Sequence, residues 1–188
     1  MNHAPNRRSA MNRAVFLDRD GVINRAAAAG EYITRWEDFQ FLPGVAQAIS
    51  SLAKAGWKVM VVSNQRCVSK GLLTIAELEN IHRNMEKELA EAGAKLDGIY
   101  YCPHAKEPPC ECRKPLPGML LRAAREHKID LASSWMVGDS KTDMEAGKRA
   151  GCRTMLIEGK LSASEVRSES AASSLAEAAS RILILTAG

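Results

Sequence analysis

Aromatic side chains make up only 5% of the chain: three Trp, three Tyr and three Phe. So few rings leave little material for the stacking platforms that read single-stranded nucleic acid. No basic block stands out either, because 26 Lys and Arg are interspersed with 22 Asp and Glu to a net charge of +4. That mixture argues against a nucleic-acid partner. No apolar run approaches the ~20 residues that span a bilayer. Residues 1–12 carry charge with no apolar stretch behind it, so they do not read as a secretory signal. Also missing are the G-x-x-x-x-G-K-[ST] phosphate loop, the Rossmann glycine fingerprint, the G-x-S-x-G elbow and any internal repeat. These absences leave a cytoplasmic protein with no membrane partner. Residues 1–12 read as a disordered leader, with Met11 a candidate start, and residues 13–188 as one domain with a real core. A monomer is expected, since no element looks like an exposed apolar seam.

What is present centres on Val15-Phe16-Leu17-Asp18-Arg19-Asp20-Gly21. A short apolar run ended by Asp and Gly reads as a buried parallel strand stopping at a turn. Taken alone, Asp18 and Asp20 fit equally well a turn or a site, because Asp-Gly is a turn dipeptide. If they form a site, their mutual repulsion is relieved by a divalent cation or by a shared proton.

The rest of the chain favours the site. Strand character recurs at Lys58–Val62, Asp97–Tyr101, Ser134–Val137 and Arg153–Ile157. Helices are expected from Pro43-Gly44 to Ala55, from a Thr74–Glu77 capping box to Ala92, from Pro117-Gly118 to His127, and over Thr142–Ala150. A tail helix over Ser174–Leu185 puts Leu175, Ala178, Ile182 and Leu185 on one side. Alternating strands and helices predict a doubly wound parallel α/β sheet with helices on both faces and no large cap domain. The segment Val22–Phe41 reads as a loop arching over the site, with four alanines from Ala26 to Ala29. In a parallel sheet the strand ends converge. Asp18 and Asp20 thus meet Ser63-Asn64 and Gly138-Asp139, with Asp143 four residues on and Lys114 after the third strand. Hard oxygen ligands for Mg²⁺, a nucleophilic carboxylate, a spare acid, a hydroxyl and a fixed cation are the parts phosphoryl transfer needs.

Asp18-x-Asp20-Gly21, Ser63-Asn64, Lys114-Pro115 and Gly138-Asp139-x-x-x-Asp143 resemble the four motifs of the haloacid dehalogenase superfamily of phosphatases. Asp18-Arg19-Asp20-Gly21 with Ile23-Asn24, Ser63-Asn64-Gln65, Gly98–His104 and Cys112–Leu120 sharpen the likeness to the heptose bisphosphate phosphatases within it, and histidinol-phosphate phosphatases are similar too. The resemblance implies a small phosphorylated sugar as substrate. It implies that Asp18 attacks phosphorus, that Asp20 serves as acid and then base, and that Ser63 and Lys114 stabilise phosphoryl charge. Magnesium falls to Asp18, the carbonyl of Asp20, and Asp139, with Asp143 supporting the metal or Lys114. Asn64 and Arg113 help hold the substrate. Arg66 departs from the family's usual Ser; it either meets a second phosphate or points to solvent. Histidinol phosphate is the rival substrate, and a phosphate-binding module without turnover is the rival class.

Cys102-x-His104 and Cys110-x-Cys112 supply three thiolates and an imidazole, a full tetrahedral set. In a reducing compartment this predicts a structural zinc rather than a disulfide. Cys67 and Cys152 lie outside the set, Cys67 as a reactive thiol or a packing residue and Cys152 in the core. His82 and His127 read as surface residues of helices, and Trp57 and Trp135 as packing residues.

Overall fold

Val15-Phe16-Leu17 is an unbroken apolar run because its strand is covered on both faces. In the computed structural model, which describes residues 11–159, 161, 163–166 and 170–186, Val15 and Leu17 enter one core and Ala14 and Phe16 the other. That is the period-2 alternation of a central strand. The elements follow as β1 (Ala14–Leu17), α1 (Val45–Lys54), β2 (Lys58–Asn64), α2 (Ile75–Glu91), β3 (Gly98–Cys102), α3 (Gly118–His127), β4 (Trp135–Gly138), α4 (Lys141–Ala150), β5 (Arg153–Ile157), α5 (Ala163–Val166), β6 (Ser170–Ala172) and α6 (Leu175–Leu185). All strands are parallel, in the order β3-β2-β1-β4-β5-β6. The strand order reverses between β1 and β4, and in open α/β sheets ligands bind at the carboxyl edge of that reversal. Helices α1, α2 and α6 contribute to one core; α3 and α4 contribute to the other.

The doubly wound sheet is as expected, with local differences. A sixth strand, β6, extends the sheet by pairing with β5; Ser-Ala-Ala has little intrinsic strand preference, so the neighbour dictates its conformation. Helix α4 starts at Lys141, capped by Ser140, whose side chain forms a capping box with Asp143. Leu185 is exposed at the frayed end of α6, while Leu175, Ala178 and Ile182 are buried. The segment after Asp20 is less of an open arch than its composition suggests. Val22, Ile23 and Asn24 are buried, and Phe39 stacks on Trp36 with Phe41 edge-on. Residues 25–31 are mostly exposed, as are Arg35, Glu37, Asp38 and Gln40. The expected leader lies outside the described residues up to residue 10; Asn12 is already tied to α3, its Nδ2 donating to His127 O at 2.7 Å. No helix among the described residues is long and apolar enough to cross a membrane.

Candidate active site

Asp18 is the first residue past β1, and its N–H still donates to Val137 O of β4 at 3.0 Å. That bond carries the carboxylate onto the carboxyl edge beside Asp139, which follows β4. Lys114 enters from the segment between β3 and α3 and is 3% exposed. Its Nζ meets Asp18 Oδ1 at 2.9 Å, Asp143 Oδ1 at 2.6 Å and Val62 O at 2.7 Å. The ammonium donates to the Val62 carbonyl and is ion-paired with both carboxylates. Burial alone would lower the Lys114 pKa; Asp143 and Asp18 more than offset it, and the group is held charged. The Arg19 N–H also falls on Asp18 Oδ1, at 2.8 Å. Among the described residues no hydrogen bond falls on Asp18 Oδ2.

Burial pushes Asp18 up to about 7, with Asp143 and Asp20 adding to the rise and Lys114 opposing it. Asp139 is pushed up to about 6 by burial and then by Asp143. Crowded carboxylates in this state favour a cation. One oxygen from each of Asp18, Asp139 and Asp143 lies within 4.8 Å of the others, a hard-oxygen set that fits Mg²⁺. Gly21 has φ +90°, and a Cβ there would collide with Asp139 Oδ2. The turn therefore approaches the carboxylate as closely as only glycine permits.

Asp20 behaves differently from Asp18. Burial raises its pKa, but Arg19 and hydrogen bonds from Asn24, Arg19 and Gln65 win, leaving it below the usual carboxylate range. Arg19 Nη2 donates to both Asp20 oxygens at 3.0 Å, Asn24 Nδ2 to Oδ1 at 3.0 Å and Gln65 Nε2 to Oδ2 at 2.9 Å. Gln65 Nε2 also reaches Ser63 Oγ at 2.8 Å, linking that hydroxyl to Asp20.

Asn64 sits beside the site with both ends of its amide on the backbone of Lys114, at 3.0 Å each. Arg113 Nη1 donates to His104 O at 3.3 Å, and Arg66 Nε is buried without a hydrogen-bond partner. Gln65, Arg19 and Asn24, which stand within the motifs without an assigned role, and His82, which stands outside them, complete the constellation. His82 corrects the surface assignment: it is 4% exposed, with Nε2 3.3 Å from Arg19 Nη1. Its place four residues after Leu78 and three before Met85, both buried on α2, is the signal that the sequence holds for it. Cys67 is buried and its thiol donates to Gln65 Oε1 at 3.4 Å, which is packing rather than an accessible thiol.

The cysteine segment converges as its spacing predicts. Cys102 Sγ and Cys112 Sγ each lie 3.5 Å from Cys110 Sγ; His104 Nδ1 lies 3.6 Å from Cys102 Sγ and 3.2 Å from Cys112 Sγ. A tetrahedral zinc with bonds of ~2.0–2.3 Å has ligand–ligand edges of about 3.5–3.8 Å, so the set fits that ion. A groove of about 570 Å³ runs beside it, lined by Tyr100, Tyr101, His104 and Arg122. It flanks the cysteine segment rather than the carboxylates.

Comparison with known proteins converges on one family. Residues 111–179 match the HAD-hydrolase-like family model. The chain is 42% identical over 145 residues to the D-glycero-beta-D-manno-heptose-1,7-bisphosphate 7-phosphatase of Pseudomonas putida, covering 77% of this chain and 82% of that protein. It is 40% identical over 147 residues to the enzyme of the same name from Helicobacter pylori, covering 78% and 83% respectively. The crystal structure of D,D-heptose 1,7-bisphosphate phosphatase from B. bronchiseptica, complexed with magnesium and phosphate, superposes with a TM-score of 0.83 at 35% identity, over 93% of this chain and 99% of that one. The chain therefore belongs to the heptose 1,7-bisphosphate 7-phosphatase family of haloacid dehalogenase-like hydrolases.

Proposed function

We propose that the chain removes the C7 phosphate of D-glycero-β-D-manno-heptose 1,7-bisphosphate through an aspartyl-phosphate on Asp18. The observation that carries the mechanism is the Asp18–Lys114 pair at the sheet's reversal point, with Oδ1 anchored from two sides and Oδ2 left for attack. The substrate follows from family membership.

Asp18 Oδ2 attacks phosphorus, the phosphorus–oxygen bond to the sugar breaks, and Asp20 supplies the proton that the leaving oxygen takes. Asp20 then takes a proton from the water that hydrolyses the acyl phosphate. In the arrangement described, Arg19 orients Asp20 and holds it ionised, so it is poised as the base; for the acid step it takes up a proton as substrate binds, with Arg19 keeping its orientation. Lys114 and the Ser63 hydroxyl offset charge on the phosphoryl oxygens. Magnesium, held by Asp18, Asp139 and the Asp20 carbonyl with Asp143 behind them, would supply Lewis-acid neutralisation of that charge. Asn64 serves by fixing Lys114. Arg113 and Arg66 receive the substrate's far end, Arg66 as the cation two residues after β2 that meets the second phosphate of a bisphosphate. The chain acts as a cytoplasmic monomer on a free small molecule.

The structural ion of the cysteine segment is zinc, and its role is to fix the chain leading into Arg113 and Lys114. Cys110→Ser is expected to reduce zinc from about one per chain to near zero and to raise KM more than it lowers kcat, measured by metal analysis and kinetics. Full zinc retention would refute the ligand set.

The substrate is tested by comparing kcat/KM with Mg²⁺ on both anomers of heptose 1,7-bisphosphate and on histidinol phosphate. A preference of tenfold or more for the β-anomer, on the order of 1.4 kcal/mol, supports the reading. A preference for histidinol phosphate overturns the substrate and leaves the chemistry standing.

A further inference from the structure

Arg19 lies between the two site carboxylates in sequence, yet its side chain is 1% exposed and directed into the protein. Its guanidinium divides its donors. Nε and Nη2 go to Asp20, at 3.3 Å to Oδ1 and 3.0 Å to each oxygen. Nη1 goes to His82 Nε2, at 3.3 Å, on the middle of α2. Arginine has no acceptor, so His82 Nε2 must be the acceptor, and the ring is the neutral tautomer with its proton on Nδ1. The ring stays neutral because burial and the Arg19 charge hold its pKa down to about 3. Around the pair, Phe39 lies 5.9 Å from the guanidinium carbon and Tyr101 5.4 Å from the imidazole. Phe39 has no acceptor, and the Tyr101 hydroxyl is directed to Glu79 Oε1 at 2.9 Å.

We propose that His82 is a positioning residue for the acid–base carboxylate: by accepting from Arg19 it fixes the fork that orients Asp20, without touching substrate. This rests on the phosphatase reading above. Five guanidinium donors are rigidly coplanar, so their orientation is set by all their acceptors together. With His82 in place, the plane that satisfies Nη1 also presents Nη2 squarely to Asp20. Without that acceptor the buried Nη1 is orphaned, and the guanidinium turns toward whatever oxygen it can reach. The Asp20 oxygens already hold the rest of the fork, and a turn of the guanidinium carries the carboxylate with it, out of orientation for proton transfer.

The experiment compares His82→Leu, which removes the acceptor, with His82→Gln, whose side-chain carbonyl can replace it. His82→Phe gives a ring of similar size and serves if the leucine variant does not fold. With heptose bisphosphate, His82→Leu is expected to lower kcat by about 10–100-fold at a KM within about twofold, a fraction of what general acid–base catalysis supplies. His82→Gln is expected to stay within about threefold of the parent. A second substrate separates positioning from general damage. 4-Nitrophenyl phosphate has a leaving group that needs little protonation, so the deficit in kcat/KM should shrink to within about threefold on it. Equal deficits on both substrates, a deficit that His82→Gln shares in full, or no deficit at all would overturn the proposal. A parent chain inactive on both substrates would instead overturn the phosphatase reading, a result visible before any variant is made.

Discussion

Asp18→Asn is expected to abolish phosphate release, by at least ~10⁴-fold, with the fold intact. Asparagine matches the carboxylate in shape. Its carbonyl oxygen can still accept from the Arg19 N–H and from Lys114, which now meet on Oδ1 at 2.8 and 2.9 Å. What it lacks is an oxygen able to form and release an acyl phosphate. The stability of the magnesium-free protein should show the same substitution from the other side. Asp18 is raised from 3.8 to about 7 in the fold, chiefly by burial. The folded chain then binds a proton that the unfolded chain has released, so stability falls as pH rises from about 4 to 7. A neutral asparagine removes that slope. Denaturation at pH 5 and pH 8 without magnesium should therefore bring the variant level with the parent or above it at the higher pH. A variant that still turns over at the parent's rate would remove Asp18 from the chemistry.

Lys114→Met should have the next largest effect, about 10³-fold in kcat, because it deletes the fixed charge facing the phosphoryl oxygens. The ammonium touches two carboxylates and a strand carbonyl and is almost wholly buried. Breaking such a pair usually costs about 3–5 kcal/mol, since a charge is left without its partner. The cost here should lie at or below the lower end. Asp18 already sits near neutrality in the fold, and one of the freed carboxylates can take up a proton. Chemical denaturation and steady-state kinetics check the two effects separately. Retained activity would mean that another cation carries the phosphoryl charge.

How legible each element is in the sequence follows from its physics. Buried parallel strands advertise themselves as short apolar runs, and β1, β2 and β4 each end in residues with chemistry. The convergence of Asp18 and Asp139 is therefore legible from the strand ends themselves, with Asp143 a helical turn further on and Lys114 arriving on the segment after β3. The cysteine spacing is legible for the same reason, since ligand identity and count are in the sequence. What resists reading are facts of direction. Asn64 reads from the resemblance as a substrate contact, and nothing local says that both ends of its amide face the Lys114 backbone. β6 has no pattern of its own and exists because β5 offers a free edge. His82 reads as a solvent-facing helical residue because of its polarity. Yet it lies on the stripe of Leu78, Met85 and Leu89, all buried on α2, and a polar residue on an apolar stripe needs a buried partner. Arg19 is that partner.

Which phosphate leaves distinguishes a 7-phosphatase from any other phosphatase of the same bisphosphate. The direct measurement is ³¹P NMR of D-glycero-β-D-manno-heptose 1,7-bisphosphate incubated with the purified chain and Mg²⁺. The expected result is loss of the C7 phosphomonoester signal, equal growth of inorganic phosphate and an unchanged anomeric phosphate signal. Loss of the anomeric phosphate first, or no inorganic phosphate under conditions where the chain is folded and metal-loaded, would contradict it.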